Sequence, residues 1–348
     1  MTASQRYTVV IQTHTSVADL APLHSFVAEG SRGQVLTCKQ SAWVTRSDGD
    51  VHVSQSPEAD VLCRVKFKPH ACVVSPASVP LGLALGRHRF EALYSTCRLW
   101  PGNEIRLGNV TLRLRDVQGW AVATPLRSGA LHAQGLEDSP VPQTKTVSAV
   151  RGQTCRICLG DEEELVQPCA CSGSVGTVHP SCLKQWLNSK LSIDKHRDTF
   201  SLKWRNFKCE ICHEAYPDAL LVHETVHELV QIPRAASKFL VLERVGSDKV
   251  LYVVPLRNKK QVVLGRGPAA DVLLNDSHVA LTHAVLHASK AGVFLEDCGS
   301  EFGTSLVLKQ PVVVRAKQAL ALQAGCTVMS MRMKKKRSFA RWLCGGSK

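Results

Sequence analysis

Between Tyr7 and about Asp116, apolar residues come in short runs that alternate with polar ones: VVIQT, GQVLTC, DVHVS, VLCRVKF, ACVV and NVTLRLR. Runs of this length and period, cut by turn residues, predict antiparallel strands. The pattern then stops. From Arg127 to Val150 the chain is rich in Ser, Pro, Gly and Thr and poor in large apolar residues, and it reads as a linker. A second set of strand-like runs starts at Lys238: KFLVLERV, KVLYVVPL, QVVLGRG, DVLLND, AVLHA, GVFLED and SLVL. Between the two β regions, Cys182 to Leu191 has helical spacing, with Leu183, Trp186, Leu187 and Leu191 on one side. The expected division is a β domain over 1–125, a linker over 126–150, a cysteine-rich domain over 151–216, a linker over 217–237, a β domain over 238–332 and a basic tail over 333–348.

A chain of 348 residues has room for about two or three domains. Hydrophobic residues at 44% and charged residues at 21% are values of ordinary globular proteins, which argues against large-scale disorder. The formal charge of +14 changes the picture more. It favours an acidic partner such as nucleic acid, phosphorylated protein or an anionic membrane surface, with plain solubility as the alternative. The opening MTASQRYTVVIQ has no basic segment followed by an apolar run, so a reducing intracellular compartment, cytoplasm or nucleus, is expected. The longest uncharged stretch, Ala71 to Gly86, contains Pro76 and Pro80 and falls short of the roughly 20 residues a bilayer span needs, so a soluble chain is expected.

The cysteines are clustered, and clustering points to metal. Seven of the fourteen fall between Cys155 and Cys212. In order, the candidate ligands are Cys155, Cys158, Cys169, Cys171, His179, Cys182, Cys209 and Cys212. Eight thiolate and imidazole ligands serve two closed, tetrahedral, structural zinc ions. With the pairs interleaved, Cys155, Cys158, His179 and Cys182 take the first ion, and Cys169, Cys171, Cys209 and Cys212 the second. Zinc then replaces the apolar core that so short a segment lacks. The expected fold class is mainly β and multidomain, with two β-sandwiches flanking a small zinc-bound α+β cross-brace domain.

Four cysteines, one histidine and three more cysteines occur in this order in PHD fingers and in RING-CH (RINGv) fingers. Cys169-Ala170-Cys171, the histidine eight positions later, Trp186 four residues after Cys182, and the string QPCACSGSVGTVHPSCLKQWL resemble the RING-CH, MARCH-type ligases. A PHD finger places a tryptophan two residues before the last cysteine pair, whereas Trp204 stands five before Cys209. The resemblance implies a RING-type ubiquitin transferase that binds a ubiquitin-conjugating enzyme and ubiquitin, and that positions both without a covalent intermediate, so no catalytic nucleophile is expected. It implies further that Ile157 and Trp186 form the groove for the conjugating enzyme, with packing around the metal as the alternative for each. His213 takes the place where many RING ligases carry an arginine that contacts ubiquitin.

His223-Glu224-Thr225-Val226-His227 matches H-E-x-x-H, which on a helix would make a zinc-protease core. The downstream positions do not supply a third ligand, and a histidine pair in a solvated linker is the preferred reading. From Lys238 onward, Gly265-Arg266, DVLLND, His283-Ala284, Asp297 with Ser300, and Gly303-Thr304 resemble a forkhead-associated (FHA) domain, a β-sandwich that binds phosphothreonine through its loops. The resemblance implies a phosphate contact at Arg266. Ala280 and Leu281 replace the family's serine and arginine, which leaves Ser277, His278 and Thr282 as candidates, and protein contact without phosphate as the alternative. The N-terminal domain is more faintly similar to FHA, through Pro76–Gly86 and a closing hairpin over Leu99–Leu114, with an unrelated β domain as the alternative. In the tail, Lys334 to Arg337 and Arg341, interleaved with Phe339 and Trp342, suit an anionic membrane surface or a nuclear address. The expected whole is a soluble ligase whose FHA-like domains select protein substrates. The rival is a non-catalytic zinc-finger and FHA adaptor.

Overall fold

The alternating runs do fold as strands, and most of the architecture is antiparallel β. The computed structural model describes residues 7–16, 31–86 apart from 49, 58 and 59, 95–118, 144–232, and 238–335 apart from 247, 258, 317 and 326. Two compact units emerge, and neither is contiguous in sequence. One comprises Met1–Ser95, Ser128–Leu136 and Ser305–Lys348; the other comprises Thr96–Arg127 and Glu137–Thr304.

In the first unit the opening strand Tyr7–Ser16 lies between Ser31–Cys38 and the last described strand, Thr327–Lys335. Ala319–Ala324, Leu81–Leu85 and Thr304–Val307 follow in this sheet beyond Thr327–Lys335. The second sheet runs in the order Val312–Arg315, Ala71–Pro76, Val61–Lys68, Ala42–Ser47, Asp50–Ser54. Inward residues such as Ile11, Val44, Cys63, Val65, Val74 and Met331 are fully or almost fully buried, as period-2 alternation requires.

The second unit repeats this plan with its own opening strand. Phe239–Val245 lies between Lys249–Pro255 and Val110–Gln118, whose hairpin partner is Glu104–Leu107. A second sheet runs Val272–Leu273, Gln261–Gly265, Ala284–Ser289, Gly292–Asp297, Thr96–Leu99. The strands that close each sandwich therefore come from the other half of the sequence. Thr96–Gln118 does in the second unit what Val312–Lys335 does in the first. The contiguous domains expected over 1–125 and 238–332 are thus interleaved in the fold. The closing hairpin read from Leu99–Leu114 is present, but its opening strand is Phe239–Val245. Its Leu112 and Leu114 are buried, each stabilising the sandwich by about 1.5–3 kcal/mol.

The two plans differ at one place. In the second unit, Gln261–Gly265 is followed by a long loop and a parallel strand, Val272–Leu273. In the first, Ala42–Ser47 turns straight back into the antiparallel strand Asp50–Ser54. The tight turn leaves no loop there of the kind that carries Arg266.

Both segments read as linkers contain strands. Thr144–Val147 pairs in parallel with Ala219–Val222, which forms a hairpin with Thr225–Glu228. The helix spans Pro180–Ser189, and Leu191 already begins a strand. That strand, Leu191–His196, pairs with Thr199–Trp204, which in turn pairs with Lys249–Pro255. The cysteine-rich segment is therefore an extension of the second unit's sheet. One hydrophobic core runs from Cys155, Leu183, Leu187 and Cys209 through Leu202 and Trp204 to Val241, Leu251 and Val253. No helix among the described residues is long and apolar enough to cross a membrane.

Candidate zinc centres and FHA loops

Two knuckles with the same local geometry begin and end the cysteine-rich segment. In the first, the amide of Leu159 donates to Cys155 O at 2.8 Å and the amide of Cys155 donates to Gly160 O at 2.8 Å. In the second, His213 donates to Cys209 O at 3.0 Å and Cys209 to Glu214 O at 2.8 Å. Leu159 and His213 close these turns in the left-handed region, with φ of 63° and 59°. Closing the turn after C-x-x-C brings both sulfurs to one side, as a shared metal requires. The other ligands ride on the 169–171 loop and on the start of the helix, where His179 is the N-cap and Pro180 the first residue.

The ligand atoms of Cys155, Cys158, His179 and Cys182 all lie within 4.8 Å of one another, as do those of Cys169, Cys171, Cys209 and Cys212. The interleaved pairing expected from spacing is the grouping that forms. Sulfur at about 2.3 Å and imidazole nitrogen at about 2.0 Å from zinc set tetrahedral edges of roughly 3.5–3.8 Å. Cys158 Sγ and Cys182 Sγ lie 3.3 and 3.6 Å from His179 Nδ1, and Cys171 Sγ lies 3.7 Å from Cys209 Sγ. The donor sets fit two structural zinc ions, each with a full complement of four protein ligands.

Electrostatics lead to the same conclusion. Burial alone would raise the Cys209 thiol, but the amides of Cys212 and Ile211 and the Tyr216 hydroxyl bring it down to about 5. Burial pushes neighbouring Cys169 up to about 12. Four thiols this close do not ionise together without a cation, and zinc supplies it. Arg156 provides outer support. Its guanidinium donates to Val175 O at 2.8 Å and to Tyr216 Oη at 2.7 Å, and it approaches Cys209 Sγ at 3.7 Å. A residue of the first knuckle thereby braces a ligand of the second site.

Around this frame, Ile157 is 40% exposed and Ile211 is 56% exposed. They occupy the same place in their knuckles, Cys-Arg-Ile-Cys and Cys-Glu-Ile-Cys. Sequence reasoning singled out Ile157 and missed Ile211, although the repeated pattern was there to be read. Trp186 is half-buried against the core, with Tyr216 at its edge (6.2 Å) and Lys190 Nζ 3.5 Å from the ring centroid. His213 is exposed. His223 and Glu224 form the turn of a hairpin, and His223 Nε2 lies 3.1 Å from Glu164 Oε1. The H-E-x-x-H residues therefore lack the helix that would bring both histidines to one metal, and among the described residues they join no candidate metal cluster.

In the sandwich of the same unit, the amide of Arg266 donates to Ala280 O and that of Gly267 to Leu281 O, both at 3.0 Å. The exposed Arg266 thus stands beside Leu281, 60% exposed, and the exposed Thr282. A Cβ on Gly265 would come within 2.2 Å of Leu281 O, so only glycine allows this approach. Ser277 and His278 sit at the far end of the loop. There His278 Nδ1 lies 3.0 Å from Asn109 Nδ2, its ring meets Phe302 at 4.7 Å, and a Cβ on Gly108 would lie 2.3 Å from His278 O. The hairpin drawn from the N-terminal half thereby supports this loop. His283 is buried, accepting from the Ala280 amide through Nδ1 and donating to Gly303 O through Nε2, and its role is structural.

Comparison with known proteins agrees with both parts. Residues 155–212 match the RING-variant domain family, and residues 262–329 match the FHA domain family. The latter match runs past the boundary between the units, because Ser305 onward belongs to the first unit. The ERAD-associated E3 ubiquitin-protein ligase DOA10 of Saccharomyces cerevisiae is 33% identical over 117 residues, which is 30% of this chain and 8% of that protein. The E3 ubiquitin-protein ligase MARCHF2 of Xenopus tropicalis is 37% identical over 67 residues, 19% of this chain and 22% of that protein. MARCHF3 of Mus musculus, also named an E3 ubiquitin-protein ligase, is 38% identical over 61 residues, 17% of this chain and 22% of that protein. This chain thus spans less than a quarter of the length of these three relatives.

Proposed function

We propose that this protein is a RING-type ubiquitin ligase. The observation that carries the reading is a frame with closed zinc sites on which Ile157 and Ile211 stay exposed at equivalent places in the two knuckles. Closed sites leave zinc no position for water or substrate, so the metal holds shape and the surface does the work. A shallow apolar surface of this kind suits a ubiquitin-conjugating enzyme, with Trp186 at its border and His213 beside the second knuckle to meet ubiquitin. Catalysis is then a matter of holding the charged enzyme and the acceptor lysine in register, which can contribute several powers of ten in rate. In an autoubiquitination assay with a panel of conjugating enzymes, the wild type should build chains. Ile157→Ala and Ile211→Ala should each lower the rate at least tenfold while zinc content stays at two per chain. Absence of chains under every pairing with zinc bound would leave the adaptor reading.

The FHA unit selects the protein substrate. Ala280 offers no side-chain donor, so Arg266 carries phosphate recognition nearly alone, and exposed Leu281 supplies apolar contact. One charge-assisted hydrogen bond contributes about 1.5 kcal/mol, or roughly tenfold in affinity. Phosphothreonine peptides from a binding screen should therefore bind about tenfold better than their unphosphorylated forms. Arg266→Ala should erase that difference, and equal binding by the wild type would refute phosphate recognition. Of the basic tail read over 333–348, residues 333–335 end the strand Thr327–Lys335 and pair with Tyr7–Ser16, and the rest, which suits an anionic membrane surface, lies outside the described residues.

A further inference from the structure

At one end of the first unit's second sheet, the described residues of the outer face carry positive charge and no carboxylate. Along Val61–Lys68, Cys63 and Val65 point inward and are fully buried, while Arg64, Lys66 and Lys68 alternate outward, about 6.6–7 Å apart. Strand register extends the face sideways. Lys68 lies opposite Ala71, which lies opposite Arg315, so the two cations share a row two strands apart. In the next rows Lys66 faces Val73 and Val313, and Arg64 has Ser75 on one side and Trp43 on the other. The guanidinium of Arg64 sits 4.7 Å from the Trp43 ring centroid.

The described carboxylates of this unit, Asp48, Asp50 and Asp60, gather at the other end of the sheet. Asp60 pairs there with Arg46 at 2.8 Å, and Asp50 accepts from Gln34 at 3.2 Å. Charge is therefore segregated along the strands, with Lys66, Lys68 and Arg315 together at the basic end.

We infer that this face binds single-stranded nucleic acid. A row of cations at alternate strand positions follows a phosphate backbone, and an aromatic ring beside it offers a stacking platform; this is the combination that sequence-tolerant single-strand binders use. A flexible strand can follow such a row with its phosphates on the cations and a base on the ring. A lipid surface fits less well, since the apolar groups here, Trp43, Val73 and Val313, are half-buried between the cations and do not project as an interfacial anchor does. In this reading the phosphates run over Lys66, Lys68 and Arg315, and a base rests against Trp43.

The test titrates the zinc-loaded chain of 348 residues into a labelled 20-residue oligouridylate at several salt concentrations, with phosphatidylserine-containing vesicles in parallel. The oligonucleotide should bind, and Lys66→Gln with Lys68→Gln should weaken it at least tenfold. The slope of log affinity against log salt should fall by about 1.4, the value for two lost phosphate contacts on a single strand. Trp43→Ala should weaken binding with the slope unchanged, and a chain ending at Lys335 should still bind. Failure to bind the oligonucleotide, binding to vesicles alone, or binding that disappears with the tail yet withstands the Lys66/Lys68 change would each overturn the inference. Both lysines are exposed, so unchanged melting and zinc content are expected of the variant.

Discussion

Stripping zinc from this protein is expected to unfold part of the FHA sandwich as well as the zinc domain. Thr199–Trp204 lies between helix and second knuckle in sequence, and its register is Phe200 to Val253, Leu202 to Leu251 and Trp204 to Lys249. Leu202 and Trp204 are buried in the same cluster as Cys155, Cys209, Leu251 and Val253. Without metal, the knuckles have too little apolar surface of their own to stay folded, and the strand loses its anchor at both ends. Zinc binding in small finger peptides contributes on the order of 10–16 kcal/mol. If a third of that reaches the shared core, the unit should melt roughly 10–20 °C lower, at about 2–4 °C per kcal/mol for a unit of this size. Hydrogen exchange before and after chelation checks this directly: the amides of Leu251 and Val253 should lose protection together with those of Cys155 and Cys209. Full retention of protection over Phe239–Pro255 would show that the cores are separable.

The second large effect is expected at Asp218. Residue 115 is the extra residue at an irregularity in the Val110–Gln118 strand, where the register with the opening strand shifts between Leu114 and Asp116. The bulge turns Arg115 inward, and its Nη2 lies 2.7 Å from Asp218 Oδ2. Lys249 Nζ reaches Asp218 Oδ1 and Glu243 Oε1 at 2.6 Å each, and Arg113 joins Glu243 at 3.2 Å and Glu104 at 2.8 Å. Three cations and three carboxylates thus tie together the exchanged hairpin, the segment after the last zinc ligand and the first FHA hairpin. Asp218→Asn removes one charge and leaves Arg115 and Lys249 buried without it, which should cost about 3–5 kcal/mol. Replacing Arg115 by Met together with Asp218 by Leu should cost less than the sum of the single changes. Equal and additive losses would show that the pair is not coupled.

Acid should act through the same group. Burial alone would raise the Asp218 carboxyl, but Lys249 and Arg115 hold it below the usual carboxylate range. A carboxyl whose folded value is depressed contributes stability that is fully present above its unfolded value, about 3.9, and lost as pH falls through the folded one. Unfolding free energy should therefore decline below about pH 4 in the wild type, and less steeply in Asp218→Asn.

The zinc ligands were legible in the sequence because a metal site is local. C-x-x-C and C-x-C dictate turns that place sulfurs side by side, and the interleaved grouping expected of the pairs is the one their ligand atoms form. The strands were legible for a similar reason, since period-2 alternation is a property of a few adjacent residues. The H-E-x-x-H match illustrates the converse. Five residues name a chemistry only if they form a helix, and pairing of Ala219–Val222 with Thr225–Glu228 and Thr144–Val147 made them a hairpin turn instead.

What the sequence determined by itself was the set of parts: two metal tetrads, a short helix, strands with one apolar face, a Gly-Arg loop beside Ala280 and Leu281. Which part completes which sandwich was decided only by tertiary structure. Tyr7–Ser16 alternates and Phe239–Val245 is buried from Phe239 to Glu243, yet each needs a closing hairpin, and periodicity names no partner for either. The choice rests on long-range specifics, the bulge that turns Arg115 toward Asp218 and the close approach of Gly108 to His278, and these exist only once residues more than a hundred positions apart have met.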